Sequence, residues 1–299
     1  MKVVWLADNF LAETDWKGGA EHSSDAVMQE APCEVVKIRV DSLTPDHIRQ
    51  YASNLWILDN IISAYFGNDI FKTVFLSLQN LRFVKIDYDY GWCTKRSPVA
   101  HKILMKEDCN CLQRNDYPFR PLYSTIHRHA QHMFYMSMNQ LCVHKDFIGP
   151  EFNYRTSILS SCFSYSTYTK IASLRDVKQD DTWLIMDGKN DWHKFCKGVD
   201  CAIEFAKQNK LNSKLVGGVT HEELLNEMSR CRGAIFLPQN LDTCPRIVIE
   251  ARLMDRNVYC NEMVQHKDES WFKDKKGSEI EKYLRGRPAH FWDIVKDLI

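Results

Sequence analysis

The chain lacks any apolar stretch approaching the roughly 18 residues that a membrane span needs, which excludes a bilayer-crossing helix. No charged n-region and apolar h-region precede Lys2, so the expected location is the cytoplasm. Net charge is missing too: 39 basic residues balance 39 acidic ones, and the chain as a whole carries no nucleic-acid signature. Internal repeats and low-complexity tracts are absent, and 44% apolar with 26% charged residues excludes a disordered or collagen-like chain. Eleven cysteines are present, but a secretion signal is not, so disulfides are not expected. The tightest pair, Cys109-Asn-Cys111, has one intervening residue rather than the two to four of structural zinc, and no matching second pair follows. Cys93, Cys142, Cys162, Cys201, Cys231 and Cys260 lie singly in apolar or mixed contexts, where a thiol behaves as a small hydrophobe. No metal is expected, and no Cys/His arrangement indicates a nucleophile.

What is present is alternation. Apolar runs predict strands at Val3–Ala7, Val35–Val40, Leu55–Leu58, Phe83–Ile86, Met133–Met136 and Ile158–Leu159. The second half adds Trp183–Met186, Lys214–Val216, Ala234–Leu237 and Val258–Cys260. Helical patterns fall between them, including Asp200–Gln208 and His221–Cys231, the latter opened by Thr220 as N-cap with Glu223 at the capping-box position. Such alternation predicts doubly wound parallel sheets, whose ligands bind beyond the carboxyl ends of the strands. At 299 residues there is enough chain for two α/β domains with substantial cores.

The most informative stretch is Gly233–Arg252, GAIFLPQNLDTCPRIVIEAR, where a strand and Pro238 lead into Asp242 and Glu250, eight positions apart. With the first acid at a helix N-terminus and the second two turns in, the carboxylates frame a floor of free backbone N–H groups suited to a diphosphate. They can also accept hydrogen bonds from sugar or ribose hydroxyls. That is the chemistry of a nucleotide-sugar site.

This segment resembles the acid-x7-Glu motif of retaining GT-B glycosyltransferases, the group related to glycogen synthases and bacterial mannosyltransferases, with Asp242 where that family usually has Glu. Other landmarks follow in the family's order. KVVWLAD leads to Gly18-Gly19-Ala20-Glu21, where the family uses a glycine turn to let backbone approach the donor phosphates. HMFYMSMNQ, SILSSCF and WLIMDGK resemble the passage from first to second domain, and Lys197-Gly198 resembles the family's "KG" opening the next helix. The resemblance implies two Rossmann-like domains facing each other across a cleft: an acceptor-side domain over 1–156, a nucleotide-sugar domain over 157–277, and a helical segment, 278–299, returning to the first.

It further implies retaining, metal-independent transfer from a nucleotide sugar, UDP-sugar in the first instance, with no cofactor. Lys197, helped by Lys189 or Arg246, would neutralise the diphosphate; Glu250 would hold the ribose and Asp242 the transferred sugar. Gly18, Gly19 and Thr243 complete the donor contacts. The acceptor hydroxyl would attack on the face that the diphosphate leaves, a phosphate oxygen taking its proton.

Asp87-Tyr-Asp89 also matches the DxD of single-domain GT-A enzymes, where two carboxylates hold a divalent metal. A second Rossmann-like half is unexplained on that reading, and the preferred role for this loop is acceptor-side, with Asp89, Lys95 and Arg96 shaping the pocket. From Lys95 to His132, seven basic side chains face three acidic ones, a net of +4, with four histidines, Tyr117, Phe119 and Tyr123 interleaved and Trp92 just before. Basic groups can neutralise phosphates while rings stack on displaced bases. DTCPRIVIEARL and VQHKDESWF resemble glycosyltransferases of tailed phages, some of which decorate hydroxymethylated cytosine in DNA. DNA is therefore an expected acceptor, with the host cytoplasm as location if the chain is phage-encoded. A saccharide acceptor, or a degenerate sugar-binding module with no turnover, stands as the alternative. No basic amphipathic helix suggests a membrane partner.

Overall fold

The structure, a computed structural model, describes residues 2–13, 18–65, 73–74, 76–114 and 119–299. The chain divides into two compact units, Met1–Ser164 with Gly286–Ile299, and Tyr165–Arg285.

The first unit is built on a six-stranded sheet in the order β2-β1-β3-β4-β5-β6, every pairing parallel. Its strands are β1 Lys2–Ala7, β2 Glu34–Arg39, β3 Leu55–Leu58, β4 Arg82–Asp87, β5 His132–Tyr135 and β6 Thr156–Ile158. The central ones are apolar on both faces because helices cover both faces of a parallel sheet: Val3, Val4, Trp5, Leu55 to Leu58, Phe83 and Val84 are all buried. The helix Arg287–Lys296 closes one face, setting Phe291 5.9 Å and Trp292 6.4 Å from the ring of Trp5. The Trp292 indole N–H donates to the Val27 carbonyl at 2.7 Å, so the ring's polar end is satisfied inside the core.

The second unit has four parallel strands in the order β10-β9-β7-β8: β7 Trp183–Met186, β8 Ser213–Val216, β9 Gly233–Phe236 and β10 Asn257–Cys260. Strand order reverses between β7 and β9, and in the first sheet between β1 and β3. Each reversal leaves a crevice at the carboxyl ends of those strands, the usual ligand position in such sheets. The expected α/β fold of two parallel, helix-flanked sheets is present, and the predicted strands lie within one or two residues of the observed ones. Thr220 caps His221–Arg230, with its Oγ1 accepting from Glu223 N at 3.2 Å, as the sequence predicts.

His266 is fully buried in the second unit, stacked on Trp271 at 5.3 Å and edge-on to Phe272 at 4.6 Å. Burial pushes its pKa down to about 3. The folded ring stays neutral while the unfolded one protonates below about pH 6.5, so the unfolded state binds the extra proton and stability falls as pH drops through that value. We expect this unit to lose roughly 1.4 kcal/mol per pH unit from about pH 6.5 downward on account of this group, and His266→Phe to flatten the slope. Urea unfolding at pH 7, 6 and 5 measures it. An unchanged slope in the variant would show that burial of this ring is not the source of acid sensitivity.

Candidate functional site

In the second unit, the residues singled out from the sequence gather at the β7/β9 crevice. Gly188 and Lys189 follow β7 directly, and Asn190 caps the helix Asp191–Lys197 through Oδ1, which accepts from His193 N at 2.9 Å. Lys197 is the last residue of that helix and stands directly before the N-cap of the next, where the KG pair places it. Gly198 then takes φ +65° and links to the helix Val199–Gln208. A Cβ at Gly198 would stand 1.7 Å from the carbonyl oxygen of Leu237, so glycine is what lets this turn press against the end of β9. That contact holds Lys197, the residue before Gly198, near the end of β9. Its Nζ lies 3.9 Å from Asp242 Oδ2 and 5.4 Å from the centre of the Phe236 ring.

Asp242 is held by its backbone and lies before the helix, not on its N-terminus. Its N–H donates to Met263 O at 2.9 Å, and Gln265 N donates to its carbonyl at 3.0 Å. The helix begins at Arg246 after Pro245, which has extended backbone and no side chain able to cap. Glu250 therefore lies one turn in rather than two. Its Oε1 is 3.4 Å from Arg246 Nε, on the preceding turn, and 2.8 Å from His221 Nε2, on the first residue of the neighbouring helix. Lys197 and Asp242 keep 33% and 24% of their side chains exposed, open to a ligand, whereas Glu250 at 2% is closed in. Thr243 is buried beside them.

His221 is the member that sequence reasoning missed. Its signal was the capping box at Thr220, which fixes His221 as the first helical residue after the loop that follows β8.

In the first unit, Gly18 and Gly19 open the helix Gly19–Gln29 beyond β1. The Gly18 N–H donates to Glu21 Oε2 at 3.0 Å, so a carboxylate of this same helix sits at its N-terminus. Burial raises the Glu21 carboxyl above its ordinary value. At the β1/β3 crevice, Asp59 accepts from the Trp5 indole at 2.6 Å and from Ser24 Oγ at 2.5 Å, and burial pushes it up to about 6.

The Asp87-Tyr-Asp89 loop is tied to cations of this same chain. Asp87 is buried with its Oδ1 2.8 Å from Lys85 Nζ, and Lys85 also donates to Asp59 O at 2.9 Å. Asp89 accepts from Arg96 Nε at 2.7 Å, while Gln140 Nε2 donates to the carbonyls of Asp87 and Asp89 at 2.9 and 3.3 Å. The cavity beside these residues holds about 10 Å³, room for a single water and too small for a sugar. Asp87 also approaches His127 and His144, but with Lys85 in contact a second cation has little to gain there.

The stretch from Lys95 to His132 departs from its expected role. Trp92, Tyr123, His101 and His127 are buried in the fold instead of facing outward as stacking platforms. Three of the cations are paired: Arg96 with Asp89, Lys102 with Asp108 at 2.8 Å and Arg128 with Glu151 at 3.7 Å. Tyr117 lies outside the described residues, and the side chain of Phe119 is not described.

No family model matches the chain, and no curated protein matches it. Solved structures do. HepE of Anabaena, in complex with UDP and glucose, is 13% identical with a TM-score of 0.57, covering 100% of this chain and 92% of its own. Sucrose-phosphate synthase of Thermosynechococcus elongatus is 10% identical with a TM-score of 0.58, covering 96% and 90%. At these identities the likeness shows the fold, and the fold of this chain is the α/β, GT-B class of these structures. Among the described residues no helix is long and apolar enough to cross a membrane.

Proposed function

We propose that the chain is a glycosyltransferase that moves a sugar from a UDP-sugar donor, with retention, to an acceptor hydroxyl. The observation that carries this reading lies beyond β9: a partly exposed Lys197–Asp242 pair ahead of the helix that begins at Arg246, and on that helix a buried Glu250 flanked by Arg246 and His221. A cation in that place, with Lys189 in the turn after β7, can take up the charge that develops on a departing diphosphate. Asp242 can accept from the hydroxyls of the sugar. A carboxylate offers about four acceptor sites, and Glu250 is the acid proposed to receive the diol of a ribose. Charge on the leaving group is met by side chains and helix amides, and transfer needs no divalent ion at the donor. The fold shared with HepE and with sucrose-phosphate synthase agrees with this chemistry.

For the acceptor we propose 5-hydroxymethylcytosine in phage DNA, reached by lysines and arginines of the 95–132 segment. The burial of its aromatic rings and the pairing of its cations favour a second reading, a saccharide acceptor. One experiment addresses donor and acceptor together: a panel of nucleotide sugars, with release of diphosphate measured with and without hydroxymethylated DNA, and with and without added manganese. We expect release from a UDP-sugar, no stimulation by manganese, and stimulation by the DNA that falls steeply with salt. Reversing Lys102, Lys106 and Arg114 to Glu should abolish that stimulation and spare donor hydrolysis. Salt-insensitive transfer to a sugar acceptor would move the assignment to the second reading. Release from no donor at all would leave a sugar-binding module.

A further inference from the structure

We propose that Cys93, His101, Cys109 and Cys111 form a closed structural zinc site that staples the segment following β4. Their ligand atoms all lie within 4.8 Å of one another. Cys93 Sγ is 3.5 Å from Cys109 Sγ and 3.7 Å from His101 Nδ1, and Cys111 Sγ is 3.5 Å from the same nitrogen. Zinc bonds of about 2.3 Å to sulfur and about 2.05 Å to nitrogen, set at tetrahedral angles, demand S···S near 3.8 Å and S···N near 3.5 Å. The cluster already has those dimensions. The sulfurs are far beyond the roughly 2.05 Å of a disulfide.

The helix that follows turns its buried face toward this point. Ser97 opens the helix Pro98–Met105, which buries Ala100 and His101 while Ile103, Leu104 and Met105 stand 48%, 45% and 48% exposed. A short helix that turns an imidazole inward and three large apolar side chains outward has the inverse of the usual burial pattern. At its end Lys106 adopts φ 57°, and this left-handed turn folds the chain back so that Cys109 and Cys111 meet the ring. The Thr94 hydroxyl lies 3.6 Å from Cys111 Sγ, an outer-shell partner suited to a thiolate. The second ring nitrogen of His101, Nε2, is buried without a hydrogen-bond partner and faces Glu107 Oε1 at 3.7 Å, the kind of carboxylate that orients a ligating histidine. Three sulfurs and one nitrogen in a tetrahedron select zinc among the common divalent ions, and four protein ligands leave no position for substrate.

The expectation of no metal rested on the missing partner pair for Cys109-Asn-Cys111. The partners are Cys93 and His101, one in the turn after β4 and the other one turn into a helix, brought in by the fold-back. Zinc here would fix the segment carrying Lys95, Arg96 and Lys102.

The test is the metal content of the whole chain, expressed with zinc supplied and purified under reductant without chelator. Elemental analysis should find about one zinc per chain. His101→Ala and Cys109→Ser should each lower it at least tenfold, while Cys142→Ser and Cys201→Ser, at exposed thiols, should not. Should the ligand variants fail to fold, wild-type protein stripped of metal and titrated with Co(II) should develop the absorption of a tetrahedral thiolate complex, saturating at one equivalent. Metal-free protein that binds neither Zn(II) nor Co(II), a bound iron in place of zinc, or a Cys93–Cys109 disulfide in protein kept under reductant would each overturn the assignment.

Discussion

Replacing Lys197 by alanine is expected to slow sugar transfer by roughly 100- to 1,000-fold, the cost of removing one group aimed at developing negative charge. The reasoning starts from its position. Gly198 lets the helix end press on Leu237, and the lysine ahead of it reaches to within 3.9 Å of Asp242. That pair is half open to solvent, so breaking it costs folding stability no more than about 1 kcal/mol. Loss of turnover with little change in the urea midpoint is therefore the signature of a group acting on the leaving diphosphate. Lys197→Arg, which keeps the charge but alters its shape, should recover part of the rate. Turnover in Lys197→Ala within about threefold of wild type would make this residue a helix-end lysine and shift the role to Lys189 or Arg246.

Much of this arrangement was legible because parallel strands buried on both faces are written as short apolar runs. KVVWLA, LWIL, WLIM and GAIF are strands within a residue of where the pattern puts them. The spacing of Asp242 and Glu250 was legible as a site, but its helical phase was not. Pro245 delays the helix start, so the first acid stays in the preceding loop, paired by backbone to Met263 and Gln265. Composition misled between residues 95 and 132, since a count of rings and cations says nothing about direction. Trp92, Tyr123 and His127 point into the unit, His127 stacking within 6.2 Å of Tyr123. The thiol and imidazole cluster was invisible for a related reason: its ligands are separated by eight residues twice over and meet only through the left-handed turn at Lys106.

Glu250→Ala is expected to weaken UDP binding by about 2 to 3 kcal/mol, a 30- to 150-fold rise in Kd, because two ribose hydroxyls donating to a carboxylate make charge-assisted hydrogen bonds. The same substitution removes the acceptor facing Arg246 and His221, and leaving a buried cation unpaired is itself costly. A fall in affinity alone would not separate a ribose contact from a support for its neighbours. Titration calorimetry with UDP and with its 2′,3′-dideoxy analogue, on wild type and on Glu250→Ala, separates them. If the carboxylate holds the diol, wild-type protein loses the same 2 to 3 kcal/mol when the hydroxyls are removed, and the variant loses almost nothing more, so the two losses are strongly non-additive. If Glu250 only positions Arg246 and His221, removing the hydroxyls costs wild type and variant alike, and the losses add. Additive losses would take Glu250 out of the ribose site and leave Lys197 and Asp242 as the donor contacts in the crevice between β7 and β9.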